Sequence, residues 1–136
     1  MDAATARALI DRDHRTVLAT QRADGAPQLS PVTAVTDDVG RVVISTRETA
    51  VKVHNLRRHP RAWLCVLNER FFGDWAQVEG AAEIIPLPEA MEGLVDYYRR
   101  AAGEHPDWDE YRQAMSDQRR VLVRIEIDRV GPTRSG

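Results

Sequence analysis

A chain of 136 residues supplies one core and too little apolar surface for two, so residues 1–136 are expected to form a single domain. Apolar residues make up 43% and charged residues 29%, which excludes a disordered chain, and a net charge of −2 gives no field that would gather nucleic acid. No apolar run approaches the roughly 18 residues of a membrane span, and the charged opening MDAATARALIDRDHR has no signal-peptide core, so a cytoplasmic protein is expected.

Residues 3–12 place Ala4, Ala8 and Leu9 on one side at helical spacing, with Thr5 able to serve the first turn, which predicts a short opening helix. The runs RTVLATQR and PQLSPVTAVTD read as a hairpin joined at Asp24-Gly25, a dipeptide that tolerates the positive φ of a tight turn. RVVIST after Gly40 is again β-rich, so three antiparallel strands account for residues 15–46. From Thr49 to Arg58 the period changes. Val53, Leu56 and the stem of Lys52 fall on neighbouring helical positions, and His59-Pro60 stops the helix.

RAWLCVLNE resumes as a strand, and its Cys65 is the only cysteine, expected in the core and unable to form an internal disulfide. In WAQVEGAAEIIP, Val78 and Ala82 are available to one face, while Gly80 permits a bend or bulge. Pro88 opens a helical pattern that Gly103 ends, and HPDWDEYRQAM reads as a second helix. In RRVLVRIEIDRVG, Val121, Val123, Ile125 and Ile127 alternate strictly, so one face is buried and the arginine and glutamate face is wet. Six strands in hairpin order, with one crossover helix and a helical insertion, predict a mainly β fold with flanking helices: a closed or partly closed antiparallel barrel.

Three stretches stand out chemically. The only lysine of the chain, Lys52, lies in STRETAVKVHN, where Ser45 and Thr46 end a strand, Arg47 lies in the turn and Thr49 can cap a helix. Free amides at a helix start, a guanidinium fork and an ammonium form an anion site; a solvated surface is the alternative. In PQLSPVT, Pro31 removes a ladder donor, so it belongs at an edge, a bulge or a ligand, where backbone around Ser30, Pro31 and Val32 can read the rim of a heterocycle. In GDWAQVEG, Trp75 and Gln77 fall on one face and offer an apolar wall beside an amide, or else a core tryptophan and a surface glutamine. Glu104, His105, Asp107, Asp109 and Glu110 match no metal-ligand spacing and read as helix caps. His14, His54 and His59 lack a nucleophile motif.

These three stretches in their wider setting, VLAT followed by PQLSPVT, then ISTRETAVKVHNLRRHPRAWLCV, then GDWAQVEGAAEI, resemble the pyridoxamine-phosphate-oxidase-like split-barrel flavin and deazaflavin oxidoreductases over residues 15–86. The wording SPVT, STRETAVK and WAQVEG is most similar to the actinobacterial branch that uses the deazaflavin coenzyme F420. The resemblance implies an FMN-binding type of split barrel, six-stranded and antiparallel, in a homodimer with cofactor at the interface. By position, Lys52 matches the lysine that approaches the cofactor phosphate, and Ser45, Thr46, Arg47 and Val51 occupy the flanking loop. Ser30, Pro31, Val32 and Thr33 match the strand that meets the ring, and Trp75 and Gln77 match the strand that closes the site from the partner subunit. The chain departs from true pyridoxamine phosphate oxidases at Val51, where they carry arginine before the lysine, and in VLVRIEIDRVGPTRSG, which lacks their arginine and histidine pattern.

The resemblance thus implies a reductase that passes hydride from reduced F420 to a small electron-poor acceptor such as a quinone, enone or tetrapyrrole, with no dedicated catalytic acid. Water or a barrel hydroxyl such as Thr33 would protonate the product, and Arg57 and Arg58 can meet the cofactor's acidic tail or simply serve the helix dipole. An FMN enzyme of the same fold and a non-catalytic deazaflavin carrier are the alternatives.

Overall fold

The computed structural model describes residues 1–133. In chain order the elements are α1 (Ala3–Asp13), β1 (Arg15–Gln21), β2 (Pro27–Thr33), β3 (Val35–Thr36), β4 (Val42–Arg47), α2 (Val51–Arg58), β5 (Arg61–Val66), β6 (Ala76–Ile85), α3 (Met91–Ala102), α4 (Trp108–Asp117) and β7 (Arg120–Gly131). The strands make one antiparallel sheet in the order β2-β1-β5-β6-β7-β4-β3. Its two edges, β2 and β3, are separated in the chain by Ala34 alone, so the sheet has to curl until its edges approach, which makes the split barrel.

Seven strands replace the six expected because PQLSPVTAVTD breaks at Ala34. The Ala34 N–H donates to the His14 carbonyl oxygen at 3.0 Å, and the Ala34 carbonyl oxygen accepts from Nδ1 of His14 at 2.9 Å. With both backbone groups engaged by the residue after α1, Ala34 has none left for a ladder. Nor do residues 15–46 form a three-stranded meander. β4 pairs with β3 and β7, while β1 pairs with β2 and β5. The predicted turn is formed, with Gly25 at φ 87°, and Asp24 accepts from the Ala26 N–H at 3.0 Å.

The barrel interior is filled by Leu18, Ile44, Leu64, Val66, Val78, Val123 and Ile125, joined by Ala6, Leu9 and Ile10 of α1 and Leu56 of α2. The buried face of α1 is therefore Ala6, Leu9 and Ile10, with Ala4 and Ala8 exposed, and its cap is Asp2, which accepts from the Thr5 N–H at 2.8 Å. A second cluster packs Leu94 and Val95 of α3 and Tyr111 and Met115 of α4 against Val35, Val43, Ile85 and Leu122 on the other side of the sheet. That layer corrects the expected wet face of β7, because Leu122 is buried beneath α3. Cys65 also moves out of the expected core: in β5 it is Ala62, Leu64 and Val66 that point inward, and Cys65 is half-buried on the outer face. Burial pushes its thiol above the ordinary value.

Gly80 marks a register shift between β6 and β7, where Glu79 faces Arg129 and Gly80 faces Ile127. Asp128 is the extra residue of that bulge, and it accepts from Arg61 at 2.6 Å. Residues 87–90 form a turn, so α3 begins at Met91 and not at the expected Pro88, and Gly103 ends that helix at φ 86°. Asp107 caps α4 by accepting from the Glu110 N–H at 3.1 Å. Residues 134–136, the end of the expected C-terminal pattern, lie outside the described residues.

Candidate functional site

The end of β4 and the start of α2 form one corner. Ser45, Thr46 and Arg47 close the strand, and Val51 and Lys52 open the helix after a turn in which the Ala50 N–H donates to the Arg47 carbonyl oxygen at 3.0 Å. Thr49 does not cap the helix as expected; Ala50 is the N-cap and has no side chain to offer. The amides of Val51 and Lys52 are consequently left without a side-chain acceptor, which suits an incoming anion.

Arg47 is exposed and Lys52 half-buried, and among the described residues neither lies within ion-pair distance of a carboxylate. The adjacent acid, Glu48, is held by Arg57, whose hydrogen bond keeps the carboxyl below its ordinary value of 4.5. Burial lowers the Lys52 ammonium from its ordinary value of 10.5, and the charge of Arg120 acts in the same direction. A half-buried cation without a counter-charge is costly unless something anionic completes it.

β2 is an edge strand, one of the settings open to Pro31, so one side of its backbone has no ladder partner. Pro31 and Thr33 point outward and are exposed, while Ser30 and Val32 are half-buried on the inner side, where the Ser30 hydroxyl has no hydrogen-bond partner. Tyr97 of α3 joins this edge to the cationic corner. Its hydroxyl donates to the Thr33 carbonyl oxygen at 2.8 Å. Burial pushes that phenol above its ordinary 10.0, against the opposing effects of the Ser45 backbone N–H, Arg120 and Thr33.

Trp75 and Gln77 stand apart from this corner within one chain. Trp75, just before β6, lines a cavity of about 630 Å³ with Met1, Leu9, Phe72 and Pro132, and Gln77 lines another of about 490 Å³ with Glu79 and Arg129. Neither contains Ser45, Arg47 or Lys52. Arg57 and Arg58 are engaged internally, Arg57 with Glu48 and Arg58 with the Gln21 carbonyl oxygen at 3.0 Å and Asn55 Oδ1 at 2.9 Å.

Three residues of the neighbourhood escaped the sequence reading. Asn55 is buried and donates to Thr20 Oγ1 at 3.1 Å, which fastens α2, and so Lys52, to β1. Its only sequence signal is a polar residue beside Leu56 on the apolar side of a helix. Tyr97 shares the spacing of Leu94 and Ala101, so an apolar face was readable but not its reach to Thr33. Arg120 alternates with Leu122 and Arg124, yet the pairing that sets it opposite Arg47 is long-range.

The family profile for pyridoxamine 5'-phosphate oxidase matches residues 3–134. Among solved structures, the chain is similar to Rv2991 from Mycobacterium tuberculosis, at 27% identity and a TM-score of 0.75, over 96% of this chain and 82% of that one. It also shares its fold with a protein named F420 reductase, at 21% identity and a TM-score of 0.69, over 92% and 94% of the two chains. A heme binding protein from Mycobacterium smegmatis aligns at 22% identity and a TM-score of 0.68, over 96% of this chain and 53% of that one. With nearly its whole length matched and its curled seven-stranded sheet in place, the chain belongs to the pyridoxamine 5'-phosphate oxidase family.

Proposed function

We propose that this protein is an oxidoreductase that binds coenzyme F420 between two subunits and passes hydride to an electron-poor organic acceptor such as a quinone, enone or tetrapyrrole. The observation that carries the reading is the pair of cations without carboxylate partners, Arg47 and Lys52, beside the open edge of β2. A phosphate-bearing heterocycle fits those residues: Arg47, Lys52 and the uncapped amides of α2 hold the phosphate, and the backbone of Ser30–Thr33 meets the ring. The neighbour named F420 reductase supports the choice of cofactor.

Bound there, the reduced deazaflavin supplies the hydride. The chain's own part is to fix the phosphate, orient the ring and exclude water. Val51, exposed at 57%, extends the apolar border of the corner, and water or the exposed Thr33 hydroxyl would supply a proton to product.

The second subunit is supported by the outer face of β2, β1 and β5. Cross-strand rows there run Leu29, Ala19, Trp63, Glu79 and Pro31, Val17, Cys65, Gln77; each ends in a polar group on β6, and the apolar groups before it are left half-buried or exposed. Pairing two such faces covers them and brings the partner's Trp75 and the partner's Gln77 toward a cofactor at the interface. Steady-state oxidation of reduced F420 by the purified protein, followed with a panel of quinones, enones and tetrapyrroles, tests the function. Turnover with at least one class is expected, and binding without turnover of any would leave a carrier instead.

A further inference from the structure

Several arginines of this chain have an acid. Arg41, Arg57, Arg61, Arg99, Arg100 and Arg112 each contact a carboxylate at hydrogen-bonding distance. Arg47 and Arg120 have none among the described residues, and they meet in a specific place. They are direct partners in the β4–β7 ladder, so their side chains leave the same face with Cβ atoms about 4.5–5.5 Å apart, and like charges so placed destabilise a sheet.

Neither of the pair is neutralised by a carboxylate among the described residues. Arg120 Nε donates only to the neutral Gln118 Oε1, at 2.9 Å. Lys52 brings a third positive charge into range of Arg120. The ionisable groups around the corner, besides Lys52, are Arg47 at the end of β4 and Glu48 after it, His54 and Arg57 from α2, Tyr97 from α3, Tyr111 from α4, and Arg119 and Arg120 where β7 begins. The single carboxylate in this set is already committed to Arg57. Arg119 and Arg120 line an open cavity of about 520 Å³ with Glu48, Leu87 and Ser116; Arg47 and Lys52 are not part of its lining.

We propose that Arg120 is an anion-binding residue of this corner and that it closes, with Arg47 and Lys52, around a phosphate group. The inference rests on the reading that Lys52 faces phosphate, and it adds a ligand from a strand far away in sequence. Two planar forks and one ammonium can address separate phosphate oxygens, which explains why three cations are kept together without an internal acid. In the ligand-free chain the same arrangement is a source of repulsion. Removing Arg120 should therefore have opposite effects on stability and on binding.

Because Lys52 is the only lysine, lysine-selective isotope labelling gives one side-chain signal that reports the corner directly. The probe is inorganic phosphate at constant ionic strength, with chloride as control, titrated into the parent, R120Q and R120M. In the parent, phosphate should raise the pKa of Lys52. In both variants the ligand-free Lys52 should titrate at higher pH than in the parent, and phosphate affinity should fall about ten- to a hundredfold, the loss of one charge-assisted contact. Thermal melts of the ligand-free variants at low salt should match or exceed the parent. Parent-like phosphate affinity in both variants, with Lys52 still responding, overturns the role of Arg120 and leaves that of Lys52. A Lys52 signal indifferent to phosphate in the parent overturns both, and a folded variant that melts well below the parent overturns the claim of repulsion.

Discussion

The Tyr97 hydroxyl donates to the Thr33 carbonyl oxygen across 2.8 Å, so α3, which packs on Val43 of β4, also holds the end of β2. This bond spans the open side of the barrel, where no ladder joins the two strands. Tyr97→Phe keeps the ring and removes the bond. Its loss should lower stability by about 0.5–1.5 kcal/mol, the net worth of one hydrogen bond, and should weaken cofactor binding because the two binding segments are no longer fixed to each other. Denaturant melts and a cofactor titration of the same preparation check both.

Asn55 fastens α2 from beneath. It is buried, donates to Thr20 Oγ1 and accepts from Arg58. Asn55→Ala removes both contacts in one step, and about 1–3 kcal/mol of stability should be lost. Asn55→Asp retains an acceptor for Arg58 but no donor for Thr20, so it should not restore the parent. Equilibrium unfolding in urea measures the two differences.

Gly80 and Gly93 separate a rigid close approach from a soft one. A Cβ at Gly80 would stand 1.9 Å from the Glu126 carbonyl oxygen, a backbone atom across the bulge, whereas at Gly93 it meets Leu122 Cδ2 at 2.5 Å, the far end of a side chain that can rotate. Gly80→Ala should therefore cost at least about 2 kcal/mol through forced backbone movement. Gly93→Ala, in the first turn of α3, should fall within about 1 kcal/mol of the parent, because better helix propensity offsets the repacking of Leu122. Thermal unfolding of the two variants side by side is the check.

The dimer can be tested without cofactor. Phe72 is 95% exposed and Phe71 70%, packed edge to face with each other, and the apolar rows through Trp63 and Cys65 lie on the outer face of the sheet. Sedimentation at micromolar concentration should give twice the chain mass. Trp63→Glu, which puts a charge in the middle of that face, should shift the chain toward monomer without unfolding it. A parent that sediments as monomer with cofactor bound would remove the second subunit from the account.

Local rules carried most of the fold. Periodicity placed the helices and the β-rich runs, Gly25 and Gly103 sit where positive φ is needed, and Gly80 marks a bulge. What failed was decided at a distance. His14 takes both backbone groups of Ala34 and divides one strand into two, and the helical layer buries Leu122 on the face of β7 that alternation makes wet. Cys65 was misplaced because the apolar run AWLCVL does not reveal which alternate residues point inward; pairing with β1 and β6 fixes that. In the candidate site, Lys52 and Arg47 were visible as unusual residues, whereas Arg120 and Tyr97 reach the corner only through strand register and helix packing.

Whether Lys52 holds the cofactor phosphate is decided by an equilibrium titration of the parent, Lys52→Ala and Lys52→Arg with F420, and with FMN for comparison. The parent should bind F420 more tightly than FMN. Lys52→Ala should lose about 1.5–3 kcal/mol of binding with stability unchanged or slightly raised, since a half-buried unpaired ammonium is removed, and Lys52→Arg should recover only part of the loss. Parent-like binding of F420 by both variants at low and moderate salt would contradict the account.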